Sequence, residues 1–121
     1  NLNKTTVLNK TFQYFIKFNK RGLKHTLFSK IYSSKQDQKN RDFLISCFHL
    51  KEILSAAKYI GEEPKIHDKR GIIKIHIFVN SILIDTRKYE IRIIIKEISI
   101  HIKQENKYFF YDHSFIFKKR A

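Results

Sequence analysis

The sequence is poor in the residues that staple, punctuate and activate proteins. A single cysteine, Cys47, excludes an internal disulfide and leaves secretion unsupported. With 3 glycines and no Gly-x-Ser-x-Gly, neither a glycine-rich phosphate loop nor a nucleophile elbow can be built. Apolar runs are short. Ile93-Ile94-Ile95 is flanked by Arg92 and Lys96, and nothing approaches the roughly 20 residues of a spanning helix. Acids are scarce, 11 against 25 Lys and Arg, and most stand beside a cation, as Asp68 does beside Lys69. They read as charge balance rather than a general acid–base pair, so no catalytic residue, cofactor or small-molecule substrate is expected.

What is present is charge and β-branched bulk. The 121 residues suffice for one domain with a modest core, and a hydrophobic fraction of 42% marks it as globular. A net charge of +14 repels itself and calls for a polyanionic partner: RNA, DNA or an anionic membrane surface. Lys, Ile, Phe and Asn are abundant, which fits an A/T-rich, organellar coding genome. The 6 histidines are scattered without metal-ligand spacing, so no metal site is expected. Cys47 falls on an apolar helical face and reads as a small buried hydrophobe.

The chain is organised around residues 72–102. Ile73, Ile75, Ile77 and Val79 alternate with Lys74, His76, Phe78 and Asn80, and Ile91, Ile93 and Ile95 alternate again. A period of two predicts two long antiparallel strands, with residues 80–88 as the tip of the hairpin and a bulge or bend at Lys96–Glu97. Residues 1–22 hold Lys4, Lys10, Lys17, Lys20 and Arg21 without an acid. Leu8, Phe12, Phe15 and Ile16 at helical spacing predict a basic amphipathic extension, ended by Gly22 and ordered only by a partner. Residues 23–34 read as a strand and 33–41 as a polar loop. Asp42 reads as the N-cap of a helix of about five turns that ends at Gly61. Its apolar face comprises Phe43, Leu44, Cys47, Phe48, Leu50, Ile53, Leu54 and Ala57. Leu54 and Ala57 are expected against the face made by Ile73, Ile75 and Ile77. Pro64 suits the entrance of the second strand. Residues 103–112 read as a short helix and 114–118 as a last strand. Fold class is therefore α+β: a ferredoxin-like βαββαβ domain at 23–121 with a long β-hairpin and a basic N-terminal extension at 1–22.

Asp85-Thr86-Arg87-Lys88-Tyr89-Glu90-Ile91-Arg92, with Lys96 and Ile98-Ser99-Ile100 after it, resembles the central motif of the small-subunit ribosomal protein S-ten family. Glu52-Ile53-Leu54-Ser55-Ala56-Ala57-Lys58 with Gly61, then Pro64, is similar to the end of that family's first helix and the start of its second strand. The resemblance implies a structural protein of the small subunit head. It would contact small-subunit rRNA and neighbouring head proteins, here in the mitochondrial matrix. The expected RNA-binding residues are Arg87, Lys88, Arg92 and Lys96 on the hairpin and Lys69 and Arg70 at its base, all reaching phosphates rather than base edges. Base stacking on the sheet is not expected. In the RRM-like reading of Arg70-Gly71-Ile72-Ile73-Lys74-Ile75, Ile72 and Lys74 stand where aromatics are required. The alternative is a basic accessory subunit of an organellar membrane complex.

Overall fold

The computed structural model describes residues 6–30, 37–64, 72–99 and 107–118. In chain order these form β1 (Thr6–Leu8), β2 (Phe15–Lys17), α1 (Lys20–Lys30), α2 (Asp37–Phe48) and α3 (Leu50–Ala56), then β3 (Lys58–Pro64), β4 (Ile72–Ile84), β5 (Arg87–Ser99) and β6 (Lys107–Lys118). The strands make one sheet in the order β1-β2-β6-β5-β4-β3. β3 to β6 form an antiparallel meander, and β1 and β2 an antiparallel hairpin. β2 joins β6 in parallel at Ile16–Phe109 and Lys17–Phe110.

This architecture corrects the expected ferredoxin-like βαββαβ order. That fold needs a crossover helix inside each half, whereas here all three helices come before β3, and among the described residues none follows it. The long hairpin does form, as β4 and β5, and its turn is shorter than expected. Strand pairing continues to Ile84–Arg87, with Asp85 at φ 54 in the turn. The irregularities lie on the partners of β5, where Ile73 of β4 and Asp112 of β6 are each an extra residue. The helix expected at 103–112 is displaced by β6, which holds Tyr108-Phe109-Phe110-Tyr111 in extended backbone.

Residues 6–17 are a β-hairpin rather than a helix, with Val7 and Ile16 buried beside exposed neighbours. Asn9 decides this. Its buried side chain donates to the carbonyls of Leu54 (2.6 Å) and Ala57 (2.7 Å), and its Oδ1 accepts from the backbone N–H of Thr11 and Phe12. One amide thereby builds the turn after β1 and satisfies the orphan carbonyls at the end of α3. Residues 20–30, expected to lie largely in a strand, are helical because Asn19 caps them, its Oδ1 accepting from Gly22 N–H at 2.7 Å. Gly22 is no stop signal. A Cβ there would lie 2.1 Å from the carbonyl oxygen of Tyr111, so glycine is what lets α1 close on the edge of β6.

The single helix expected from Asp42 is two helices broken at His49, and residues 37–41 belong to the first rather than to a loop. Asp42 lies inside α2, with its carboxylate turned to the sheet instead of capping. The break rotates the apolar face, so Leu44 and Phe48 are exposed while Phe43, Leu50, Ile53, Leu54 and Ala57 are buried. α3 stops at Ala57, whose ψ of 146 is extended. Gly61 sits instead at a bulge of β3, at φ 153, and Pro64 ends that edge strand rather than opening it.

Leu54 and Ala57 are fully buried, yet the β4 face over the core is the even-numbered one. His76 and Phe78 are buried in register with Ile95 and Ile93, while Ile75 and Ile77 are half-buried on the opposite face. The side chain of Ile73 lies outside the described ones. Both faces of β4 carry apolar groups, so its alternation alone does not say which is inner. β5 decides, because Tyr89, Ile91, Ile93 and Ile95 are all buried on one side.

Candidate nucleic-acid interface

The face of the sheet opposite the core is built by the same alternation. On β6, Phe109, Tyr111, Ser114 and Ile116 point inward and are buried. Tyr108, Phe110, His113, Phe115 and Phe117 take the outer face. The change of phase between Phe110 and His113 is absorbed by the extra residue Asp112, which opposes no residue of β5. The aromatic stripe therefore runs the length of the strand on one side. Phe115 lies 4.6 Å edge-on from His113 and 6.2 Å from Phe117. Phe15 of β2 extends the outer surface at 63% exposure, and the Lys17 ammonium sits 4.8 Å from the centre of the Tyr108 ring. β5 adds Arg92 opposite Phe115 and Lys88 opposite Leu83, both exposed, with Glu90 between them. Aromatic faces among exposed cations are the combination that single-stranded nucleic acid requires, since bases stack on rings while Lys and Arg meet phosphates.

The expected RNA-binding residues do not share one environment. Lys88 and Arg92 lie on the open outer face. Arg87 lies on the inner side, where its guanidinium makes two hydrogen bonds to Asp42, at 2.6 and 3.0 Å. Tyr89 donates its hydroxyl to the same carboxylate. The hydrogen bond to Asp42 raises Arg87 above its usual range and keeps it protonated. Lys96 shares the outer parity of Lys88 and Arg92, opposite Phe110, but is buried, at 5% exposure. Lys69 and Arg70 lie outside the described residues.

Two polar clusters were not legible as sites. Tyr59, His76 and Glu97 form a chain from β3 across β4 to β5, with Tyr59 Oη 2.8 Å from His76 Nδ1 and His76 Nε2 2.8 Å from Glu97 Oε1. In the neutral ring Nε2–H donates to the carboxylate and Nδ1 accepts from Tyr59. Burial, then the charge of Glu62, raises the Tyr59 hydroxyl, so it is a donor here and not an activated nucleophile. Phe12, Phe78 and Phe109 pack around the histidine ring and its partners, and the cluster ties three strands together. The second cluster is His25, Asp112 and His113, where α1 meets the bulge of β6. Cys47 is half-buried, and burial pushes its thiol up to about 11, which keeps it unreactive.

The outer stripe was hidden by the helix expected at 103–112. The signal that could have found it is the run Tyr108-Phe109-Phe110-Tyr111-Asp112-His113-Ser114-Phe115-Ile116-Phe117, whose aromatics alternate once one extra residue is allowed at Asp112. Among the described residues no helix is long and apolar enough to cross a membrane. No curated protein and no solved structure matches the chain. A family model described as large polyvalent protein-associated domain 3 matches residues 1–111, which takes in both the N-terminal hairpin and the meander as far as the bulge. On that match the chain belongs to the large polyvalent protein-associated domain 3 family.

Proposed function

We propose that this domain is a non-catalytic module that binds single-stranded nucleic acid, RNA foremost, on the outer face of its sheet. The observation that carries the reading is the row Tyr108, Phe110, Phe115 and Phe117 on the outer side of β6, flanked by Lys17, Lys88 and Arg92. The net charge of +14 supports the same class of partner. The family description, an association with large polyvalent proteins, supports a binding domain carried within a longer multi-domain chain. Of the expected RNA contacts, Lys88 and Arg92 stay in the proposal as phosphate partners. The small-subunit setting and its head-protein neighbours rest on the sequence resemblance alone, and the mitochondrial location rests on the abundance of Lys, Ile, Phe and Asn.

The test is fluorescence anisotropy with a labelled, unstructured oligouridylate. Base–aromatic stacking contributes about 1–3 kcal/mol per base, so Phe115→Ala with Phe117→Ala should weaken binding by roughly tenfold or more. Lys88→Ala and Arg92→Ala should each lower the slope of log affinity against log salt by about 0.7. A Phe115→Ala/Phe117→Ala variant that binds as the wild type overturns the stacking platform. A wild-type chain with no affinity at low salt overturns the nucleic-acid reading.

A further inference from the structure

We infer that His25, Asp112 and His113 form a binding site for a divalent first-row transition-metal ion of the zinc class. Neighbouring residues of a strand normally point to opposite faces, so Asp112 and His113 should not be able to act on one ligand. The bulge removes that bar. His113 opposes Ile94, Asp112 is the extra residue before it, and their side chains converge, with His113 Nδ1 3.2 Å from Asp112 Oδ2. The third group comes from α1, which the close approach of Gly22 holds against this edge of β6. His25 Nδ1 lies 3.2 Å from Asp112 Oδ1. One donor atom from each residue lies within 4.8 Å of the others. Around a tetrahedral ion with bonds of 2.0–2.1 Å, donor atoms stand roughly 3.4 Å apart, so small side-chain rotations would seat one.

Two imidazoles and one carboxylate choose the ion. Nitrogen donors favour zinc, cobalt, nickel and copper over magnesium and calcium, which take oxygen ligands. The site is open, with the His25 side chain 55% exposed, so water would complete the coordination. Three protein ligands and an open position are what hydrolytic and exchangeable metal sites share, as opposed to the closed four-ligand structural site. Three protein ligands instead of four set the affinity below that of a four-ligand zinc centre. The bound ion would join α1 to β6 across 87 residues of chain.

The experiment is isothermal titration calorimetry of the tag-free chain with Zn²⁺, with Mg²⁺ as comparison. One Zn²⁺ per chain and no response to Mg²⁺ are expected. His25→Ala and His113→Ala should each lose at least roughly tenfold in affinity. His49→Ala, an exposed histidine elsewhere, should bind as the wild type. His25→Asn, read beside His25→Ala, separates ligand loss from any effect on α1, because both should fold as the wild type by circular dichroism. Wild type without Zn²⁺ binding, or His25 and His113 variants with unchanged affinity, overturns the site.

Discussion

Arg87 is held by two hydrogen bonds to a fully buried carboxylate, which turns its guanidinium to the inner side of the sheet, away from the face of Lys88 and Arg92. Removing Arg87 takes from Asp42 the cation that its carboxylate faces. Breaking such a pair from its exposed side still leaves the buried carboxylate without its cation, so Arg87→Ala should destabilise the fold. Urea unfolding should read that loss, while oligonucleotide affinity of the folded variant stays within about twofold of wild type. Greater loss of affinity than of stability would return Arg87 to the binding surface. Tyr89 belongs to the same cluster, and burial, then its bond to Asp42 and that residue's charge, raises its hydroxyl above the ordinary value of 10.0. The folded state therefore holds this proton more tightly than the unfolded state does. The contribution of Tyr89 is complete below pH 10 and is lost as pH rises above it. Stability measured from pH 9 upward should fall less steeply in Tyr89→Phe than in wild type, and parallel curves would refute the linkage. None of this was visible in the sequence. Asp42 sits at a helix-cap type of position in an apolar-periodic stretch, and only the fold brings it to residues 45 and 47 places away.

Gly22 and Asn9 show how an element can be misread from its own residues. A glycine after a basic, periodic stretch looks like a stop, but the reason for this one lies in the backbone of β6. Gly22→Ala puts a methyl group against the Tyr111 carbonyl, and overpacking of this kind costs typically 1–3 kcal/mol. α1 would shift off the β6 edge. A lowered melting temperature and faster amide exchange at the α1–β6 contact should follow, whereas Gly61→Ala should be strained by its φ of 153 and leave that contact intact. Unchanged exchange at α1 in Gly22→Ala would refute the argument. Strands were legible where alternation was long and β-branched, as in β4 and β5. They were not legible where a three-residue strand is too short to show a period, as in β1 and β2, or where an inserted residue breaks it, as in the first half of β6, whose second half, residues 114–118, does read as a strand. Isoleucine is more apolar than histidine, so composition alone favours Ile75 and Ile77 for the inner face of β4. His76 is inside because Tyr59 and Glu97 satisfy both of its ring nitrogens.

At the scale of the whole molecule, the charge reading and the sheet topology have different standing in the sequence. Basic composition is a sum and survives any error in the elements, so the polyanion expectation stays as a proposal even though the βαββαβ order is replaced. Topology depends on pairings between distant segments, and no local pattern announces that β2 will lie beside β6. That pairing has a consequence for how the protein comes off the translating ribosome. Ile16 meets Phe109 after 93 further residues have been made, from 16 to 109, which takes roughly 5–20 s at 5–20 residues per second. Throughout that interval the first hairpin is exposed in the nascent chain with one edge unclaimed. Ribosome-bound chains arrested before β6 should be cut by trypsin at Lys10 and Lys17, and chains arrested well beyond it should resist. Early resistance would mean that the Asn9 contact with α3 alone holds the hairpin, and that its last partner arrives to a surface already made.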